Sequence, residues 1–258
     1  MGRIFITGSS DGLGRMAAQL LTGQGHEVVL HARTSVRACA AQAAVPGASR
    51  VVVGDLSSIA QTRHVAEQAN ALGPFDAVIH NAGIGSREHR RIETEDGLSH
   101  VFAINTLAPY ILTALIRRPR RLVYVSCGLH RHGDAGLRDL TWRDRPWQGD
   151  QAYCDTKLHG VLLAFAVARR WPGTRSNAME PGCMAVGMGG PHATGDLDAA
   201  HRTQVWLATS DDPAAVVTGG YFFHQRPRKP SGAVHDAGRQ DRLLAECRRL
   251  SGVEMPAG

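Results

Sequence analysis

The sequence predicts an α/β fold in which helices cover both faces of a parallel sheet. Short β-branched runs alternate with segments of helical periodicity, a glycine-rich turn follows the first run, and polar residues follow several others. The chain has 258 residues, 43% of them hydrophobic, which is enough to bury a core without disulfides or metals. We therefore expect a single domain over residues 1–258.

Composition and charge exclude several other classes of protein. No apolar run approaches the ~20 residues of a membrane-spanning helix, and no leader with a basic and an apolar region precedes the first strand. The five cysteines lack any C-x-x-C spacing, and the net charge of +6 comes almost wholly from arginine without interleaved aromatic residues. We therefore expect a cytoplasmic protein with reduced thiols, and neither a membrane, a nucleic acid nor a metal as its partner.

The first predicted element is a strand that leads through a glycine turn into a helix. Residues 3–7 form the strand, and the apolar residues after the turn recur at helical spacing. Gly8 permits a sharp turn, Gly12 lets the backbone approach a pyrophosphate, and Gly14 lets the helix pack closely on the strand. Free N–H groups at the helix start favour an anion. The turn therefore predicts a dinucleotide contact through Gly8, Ser9, Ser10, Asp11, Gly12, Leu13 and Gly14.

Three further strands are predicted over residues 27–31, 51–53 and 75–79, with helical segments between them. This alternation implies right-handed crossovers and a parallel sheet. Ligands of such sheets bind beyond the carboxyl ends of the strands. The residues that follow these strands are therefore candidates for cofactor contact: Arg33, Asp55, Leu56, Asn81, Ala82 and Gly83.

The end of the second strand bears on the choice of cofactor. Folds that select NAD place a carboxylate there for the ribose 2′-hydroxyl, whereas this chain has His31-Ala32-Arg33. Arg33, together with Arg37, is suited to a 2′-phosphate, so the sequence predicts NADP(H) in preference to NAD(H). A surface arginine in an arginine-rich chain is the alternative interpretation of Arg33.

A phenol and an amine stand four residues apart in a predicted helix around residues 152–158. At 3.6 residues per turn, Tyr153 and Lys157 share one face of that helix. A cation near a phenol lowers its pKa from ~10, which makes Tyr153 a usable acid or base. An amphipathic helix with one aromatic residue and one surface charge is the alternative.

The rest of the chain continues the alternation of strands and helices. Residues 121–125 predict a fifth strand, residues 175–179 a weak sixth and residues 220–224 a last one. Helices are expected over residues 199–209 and 241–250, the second of them polar. The prediction is thus a doubly wound parallel sheet of about seven strands with helices on both faces.

Six motifs, in this order along the chain, resemble those of the short-chain dehydrogenase/reductase family. They are Thr7-Gly8-x-x-x-Gly12-x-Gly14, Asp55, Asn81-Ala82-Gly83, Asn105, Tyr153-x-x-x-Lys157 and Pro181-Gly182. The segment Thr94-Glu95-Asp96-Gly97 and His130 resemble the branch that contains retinol dehydrogenases and related bacterial carbonyl reductases. The resemblance implies a Rossmann-type NAD(P)-binding domain and reversible hydride transfer between a nicotinamide and a carbonyl or alcohol.

The resemblance also implies roles for the matching residues. Tyr153 would exchange a proton with the substrate oxygen, Lys157 would bind the nicotinamide ribose, and Asn105 would hold a water that links Lys157 to solvent. The other implied contacts are Asp55 to the adenine, Asn81 to Gly83 to the adenosine ribose, and Pro181, Gly182 and Met184 to the nicotinamide side.

Two positions depart from the family pattern close to the chemistry. Cys127 stands at the position of the catalytic serine, and the preceding Ser126 should face elsewhere because side chains alternate along an extended strand. A thiol donates a hydrogen bond more weakly than a hydroxyl. Val186 stands where the family often has a threonine that binds the cofactor. These departures leave open a non-redox cyclase, isomerase or binding protein on the same scaffold.

The expected substrate is a small carbonyl compound or alcohol. We expect residues 184–198 to form a short, glycine-rich lid over it. The resemblance also implies a homodimer or homotetramer, associated through the helices that precede and contain the catalytic residues. Four residues before the catalytic helix are candidates for lining a substrate cavity, with loop packing as the alternative: His130, His132, Trp142 and Trp147.

Overall fold

Eight strands form one sheet in a computed structural model that describes residues 1–182 and 196–258. The strands are β1 (Arg3–Ile6), β2 (Glu27–Ala32), β3 (Arg50–Val53), β4 (Ala77–His80), β5 (Arg121–Val125), β6 (Arg175–Glu180), β7 (Tyr221–Phe223) and β8 (Arg226–Pro227). Their order is β3-β2-β1-β4-β5-β6-β7-β8, and the first seven are parallel. The order changes direction at β1, so the predicted doubly wound fold is confirmed.

The eighth strand adds to the seven that the sequence predicts. β8 has two residues and runs antiparallel to β7, after a turn in which His224 and Gln225 adopt positive φ angles of 47° and 62°. Pro227 lacks a backbone N–H, which suits a strand at the edge of a sheet. A strand of two residues has no sequence periodicity, and this explains why the pattern of apolar residues does not reveal it.

Helices connect the strands and lie on both faces of the sheet. They are α1 (Gly12–Gly23), α2 (Ser35–Ala44), α3 (Ile59–Ala71), α4 (His100–Phe102), α5 (Ala108–Leu115), α6 (Gly149–Arg170), α7 (Leu197–Thr209) and α8 (Ala237–Ser251). A π-helical turn, residues 103–107, joins α4 to α5 without a break. Short 3₁₀ turns span residues 128–132 and 232–235.

The sheet separates two apolar layers. On one face it packs against α3, α5, α6 and α8, and on the other against α1 and α7, with α2 near the β2–β3 edge. Trp171 and Tyr110 are the largest fully buried side chains, both in the first layer. Strands β1, β3, β4 and β5 are mostly apolar because both faces of the sheet are covered there.

The C-terminal helix α8, which the sequence predicts as polar, has one apolar side that is buried. Leu243, Leu244 and Cys247 lie on one side of it and are buried against α6. The following tail is held by Tyr110 Oη, which donates to the Val253 carbonyl at 2.8 Å, and by Trp171 Nε1, which donates to the Pro256 carbonyl at 3.0 Å. The C-terminal segment therefore covers part of α5 and part of α6, the helix that contains Tyr153 and Lys157.

Candidate active site

The glycine turn brings three chain segments together at the carboxyl edge of the sheet. Gly8 has a φ of 62°, and a Cβ at Gly8 would lie 2.7 Å from the Ala82 Cα. A Cβ at Gly14 would collide with the Asn81 amide and lie 2.6 Å from the Gly8 carbonyl oxygen. Side chains larger than hydrogen are excluded at both positions because backbone stands where they would extend.

Thr7 and Asn81 lock this turn to the end of β4. Thr7 Oγ1 accepts hydrogen bonds from the backbone N–H groups of Asn81 and Ala82, each at 3.0 Å. The Asn81 amide donates in return to the carbonyls of Thr7 and Gly8, also at 3.0 Å. The predicted ribose-contact segment is thus fixed against the predicted phosphate turn by reciprocal hydrogen bonds.

Ser9 and His31 join the same turn to β2. Ser9 Oγ donates to the Ile6 carbonyl and accepts from His31 N, both at 2.9 Å, so the hydroxyl is engaged within the protein. His31 Nδ1 accepts from Gly8 N at 3.0 Å, and Nε2 donates to the Gly54 carbonyl at 2.9 Å. Burial lowers the pKa of His31. The neutral ring therefore carries its hydrogen on Nε2 and spans from the turn to the end of β3.

The two arginines expected at the 2′-phosphate lie on the surface after β2. Arg33 is exposed. Arg37 lies in the first turn of α2, where its guanidinium forms an ion pair with Asp11 and lies 3.3 Å from Ser10 Oγ. Asp11 and Ser10 therefore have a cationic partner before any ligand arrives, a contact that sequence spacing does not show.

Asp55 and Leu56 follow β3 as predicted. Asp55 Oδ1 accepts from Ser57 N at 2.9 Å, which fixes the carboxylate in a local turn, and Asp55 N donates to Gln61 Oε1 at 2.8 Å. Leu56 is buried, 6% exposed. The backbone N–H of Ser57 thus orients the Asp55 carboxylate at the carboxyl edge of the sheet.

Asn105 lies in the π-helical turn, 6% exposed. Its Oδ1 accepts from Ile84 N at 2.8 Å, and its amide donates to the Ile84 carbonyl at 3.0 Å and to Thr156 Oγ1 at 3.1 Å. These bonds tie the segment after β4 to helix α6. A π turn at this point is consistent with a functional site, where such turns are often found.

Tyr153 and Lys157 share one face of α6, as their spacing predicts. Lys157 Nζ lies 5.3 Å from the Tyr153 ring centroid and donates to the Val125 carbonyl at 3.4 Å. Both residues are largely buried, 9% and 6% exposed. Burial lowers the pKa of Lys157, and the nearby Cys127 thiol acts in the opposite direction. A Cβ at Gly83 would lie 3.4 Å from Lys157 Nζ, so the β4 loop directly adjoins the amine.

Ser126 and Cys127 face different ways after β5. Ser126 is buried, and its Oγ donates to the Lys157 carbonyl at 2.8 Å, so its hydroxyl supports α6. Cys127 is half-buried and extended, with φ −153° and ψ 154°, at the start of the 3₁₀ turn. Alternation along the strand thus directs Ser126 into the protein, as predicted, and leaves Cys127 on the other side.

The loop before α6, residues 128–148, carries several buried side chains. His130 is fully buried: its Nδ1 donates to the Cys127 carbonyl at 2.8 Å and its Nε2 accepts from Ser231 N at 3.1 Å. His130 therefore packs the loop, the alternative to lining a cavity. Trp142 is buried against Trp147, with ring centroids 5.6 Å apart, and His132 is exposed.

Pro181 and Gly182 follow β6 at the same edge of the sheet, and Gly182 has a φ of 93°. The next predicted positions, Met184 and Val186, lie outside the described residues, as do residues 184–195 of the expected lid, whereas residues 197 and 198 of that prediction belong to α7. Glu180, which the sequence analysis did not single out, precedes them; it is 3% exposed and bonded to Arg228 at 2.6 Å.

The residues at the glycine turn fit the phosphates of a dinucleotide. A Cβ at Gly12, where φ is 51°, would meet nothing within 4 Å. The N-cap residue Asp11 makes no side-chain hydrogen bond to the helix, so the first N–H groups of α1 remain available to an anion. Within the described ranges, no group of three or more His, Cys, Asp and Glu side chains is placed to hold a metal.

Comparison with known proteins agrees with this geometry. A family model described as short chain dehydrogenase matches residues 3–119. An uncharacterized oxidoreductase of Emericella nidulans is 48% identical over 262 residues, and the alignment covers 100% of both chains. The protein belongs to the short-chain dehydrogenase family. It is therefore an oxidoreductase of the class that binds a nicotinamide cofactor and acts on small molecules.

Two further similarities place it within the family. Human retinol dehydrogenase 13 is 27% identical, with 98% of this chain and 86% of that protein aligned, and the predicted branch is confirmed. A crystal structure of an uncharacterized protein from Mycobacterium paratuberculosis has a TM-score of 0.86 and 28% identity, and covers 99% of this chain and 95% of its own. No helix within residues 1–182 and 196–258 is long and apolar enough to cross a membrane.

Proposed function

We propose that the protein is an NADP(H)-dependent reductase or dehydrogenase that interconverts a small carbonyl compound and its alcohol, with Tyr153 as general acid/base. One observation carries the proposal: Lys157 Nζ lies 5.3 Å from the Tyr153 ring centroid and beside Gly83, in the sheet edge that also holds the glycine turn. Tyr153, the buried Lys157 amine and the glycine turn then lie where they can contact one bound cofactor together with its substrate. The similarity to a retinol dehydrogenase supports this substrate class.

The bound nicotinamide supplies or accepts the hydride. During reduction Tyr153 donates its phenolic proton to the carbonyl oxygen. Lys157 then reprotonates the phenolate. The Lys157 amine stabilises the phenolate by its charge. Asn105, fixed by its bonds to Ile84 and Thr156, keeps the β4 loop and α6 in register around the amine.

In this proposal, Cys127 occupies the position from which a second group, besides Tyr153, donates a hydrogen bond to the substrate oxygen. Ser126 does not supply that donor, since its hydroxyl is bonded to the Lys157 carbonyl. A thiol donates weakly, so charge that develops on the substrate oxygen is stabilised mainly by Tyr153. The expected consequence is a slower enzyme whose proton relay is complete.

Preference for NADP(H) rests on the arginines after β2. Arg33 is exposed, and the nearby Arg37 forms an ion pair with Asp11 in the first turn. No acidic side chain stands at positions 31–33, where a carboxylate would bind the 2′-hydroxyl and repel a 2′-phosphate. A guanidinium that recognises phosphate in two hydrogen bonds is the favourable replacement.

Tyr153→Phe tests the proposal directly. The variant is expected to bind NADPH with unchanged affinity, measured by fluorescence titration, and to lose turnover by about a hundredfold or more. Turnover equal to that of the unmodified protein, with a carbonyl substrate identified by screening, would refute the role of Tyr153.

The non-redox alternative predicts a different result. It requires that the unmodified protein consume no NADPH with any carbonyl substrate, and that Cys127→Ser with Val186→Thr create that consumption. The naming of relatives as oxidoreductases favours the redox activity. Within the proposal the chain forms a single NAD(P)-binding domain over residues 1–258 and assembles as a homodimer or homotetramer.

A further inference from the structure

His80 is a buried residue beside Lys157 that the proposed mechanism does not use. It ends β4, is 3% exposed, and packs its ring against Tyr124 with centroids 4.8 Å apart. Its Nε2 lies 3.0 Å from Thr113 Oγ1, whereas its Nδ1 finds no hydrogen-bond partner among the described residues. A buried polar nitrogen without a partner is costly, so Nδ1 calls for a ligand that the surrounding side chains do not supply.

A small cavity adjoins the His80 ring. It is bordered by His80, Tyr124, Asn105, Thr156 and Lys157, and its volume is about 10 Å³. That is close to the smallest space that holds one water molecule, and a water is stable in such a space when polar groups surround it. The His80 and Lys157 side chains therefore border one cavity, whose volume is close to that of a single water.

The hydrogen atoms around His80 follow from counting donors and acceptors. Thr113 Oγ1 lies 2.7 Å from Tyr124 Oη and 3.0 Å from His80 Nε2. If Tyr124 donates to Thr113, the threonine hydrogen goes to Nε2 and every hydroxyl hydrogen in the row is used. The opposite direction would bury the Tyr124 hydrogen without an acceptor among the residues that the structure describes. Burial lowers the pKa of His80 to about 3, so the ring is neutral at pH 7 and its hydrogen lies on Nδ1.

We propose that His80 is a positioning residue for the proton supply of Lys157: its Nδ1–H donates to a water in this cavity, and the water also contacts Lys157 Nζ. The row Tyr124–Thr113–His80 transfers no proton itself. It fixes the water oxygen by one hydrogen bond, so that the water passes a proton to Lys157 after Lys157 has reprotonated Tyr153, and takes a replacement proton from solvent. This inference rests on the proposed function for its kinetic consequence, while the tautomer and the water are independent of it.

The tautomer can be read without a substrate. In protein labelled with ¹⁵N at histidine, His80 is expected to show a protonated Nδ1 and an unprotonated Nε2 at pH 7, with its signals assigned by their loss in His80→Asn. Thr113→Val removes the donor to Nε2 and should abolish the fixed tautomer, whereas Thr113→Ser retains the hydroxyl and should preserve it. A protonated Nε2 in the unmodified protein would overturn the proposal.

Two further measurements address the water and its role. A crystal structure at high resolution is expected to show one water within hydrogen-bond distance of both His80 Nδ1 and Lys157 Nζ, and an empty cavity there would overturn the proposal. With an active substrate, Thr113→Val should lower kcat about fivefold to tenfold at an unchanged KM for NADPH, with an altered solvent isotope effect, while Thr113→Ser matches the unmodified enzyme.

The outcomes separate the two proposals. Equal kcat, pH profile and isotope effect in Thr113→Val and the unmodified enzyme would refute the role of His80 while the redox function stands. Absence of any NADPH-dependent turnover, together with the expected tautomer and water, would refute the redox function and with it the kinetic role of His80, leaving the water site as a structural feature. Thermal unfolding of each variant shows whether a loss of activity reflects a loss of fold.

Discussion

Two buried histidines lie at the carboxyl ends of strands in the same sheet, and they differ in how many of their ring nitrogens are hydrogen-bonded. His31, the last residue but one of β2, has both ring nitrogens paired, to Gly8 N and to the Gly54 carbonyl. His80, at the end of β4, has one nitrogen paired with Thr113 and one without a partner among the described residues. His31 lies beside the glycine turn, where a dinucleotide is proposed to bind, and His80 borders a cavity that is also lined by Lys157, the proposed catalytic amine.

The difference distinguishes a binding framework from a reactive centre. Around the glycine turn, the polar atoms of Thr7, Ser9, His31 and Asn81 are paired within the protein, so this half is held rigid before a ligand binds. Around Lys157, the described residues leave a small cavity and an imidazole nitrogen of His80 without a hydrogen-bond partner. Preorganised binding benefits from closed hydrogen bonds, whereas proton transfer needs a group that can exchange partners.

Acid should affect both halves and is expected to have the largest effect. Burial lowers the pKa of His80 to about 3 and that of His130 and His159 to about 4, below the unfolded value of 6.5. The unfolded chain therefore binds more protons between pH 6.5 and pH 4, so the free energy of unfolding is highest above pH 6.5 and falls as the pH is lowered. Between about pH 6 and pH 5 these three groups together lower the free energy of unfolding by about 4 kcal/mol per pH unit, and His31, whose pKa burial also lowers, adds to the loss.

Denaturant unfolding between pH 7 and pH 5 measures this slope. His80→Asn should reduce this slope, since one of the buried histidines with a lowered pKa is removed. An unfolding free energy that stays constant from pH 7 to pH 5 would contradict the neutral, buried state of these rings.

Gly14→Ala and Gly12→Ala should separate folding from binding in the rigid half. The new Cβ at Gly14 meets the Gly8 carbonyl at 2.6 Å, so α1 must shift; we expect a loss of about 1–3 kcal/mol of stability and of NADPH binding. At Gly12 no protein atom lies within 4 Å of the new Cβ, and only the strained φ remains. Gly12→Ala should therefore lower the unfolding temperature less than Gly14→Ala does. It should still lose NADPH binding, which titration calorimetry measures.

Cys127→Ser sharpens the account of the reactive half. A hydroxyl in place of the thiol restores a strong donor to the substrate oxygen, and we expect kcat to rise by about tenfold to a hundredfold at an unchanged KM for NADPH. Cys39→Ser, at an exposed cysteine in α2, is the matched control and should change neither constant. A lower kcat in Cys127→Ser would mean that the thiol has a role that a hydroxyl cannot fill.

Arg33→Ala should have the smallest and most selective effect. Loss of one charged hydrogen bond to a 2′-phosphate is expected to raise the Kd for NADPH about tenfold or more, with the Kd for NADH unchanged. Arg37→Ala should have less effect on NADPH, because the Arg37 guanidinium is already paired with Asp11. Equal losses for both cofactors in Arg33→Ala would show that Arg33 does not distinguish them.

Much of the fold was predictable because its signals are local. The run before Gly8 and the helical spacing after it define a strand, a turn and a helix within about twenty residues, and Tyr153 and Lys157 meet on one face through helical geometry alone. The alternation of Ser126 and Cys127 follows equally from the geometry of an extended chain. Such features depend on neighbours in sequence.

Other parts of the site depend on contacts between distant segments. The pairing of Arg37 with Asp11 joins residues 26 positions apart, and the Thr113 hydroxyl reaches His80 across 33 positions. A histidine at the end of a strand gives no sign in the sequence of whether its ring is paired, as His31 and His80 demonstrate. The apolar side of α8 is likewise visible only where α6 covers it.

The sequence by itself determined the family, the order of strands and helices, and the placing of Gly8, Gly14, Tyr153 and Lys157 at one sheet edge. Periodicity and turn chemistry specify these because each acts over a few residues. Only the tertiary structure decided which buried polar atoms find partners. Hydrogen-bond satisfaction depends on which distant segments meet and on the space left between them, and at His80 that space is large enough for one water.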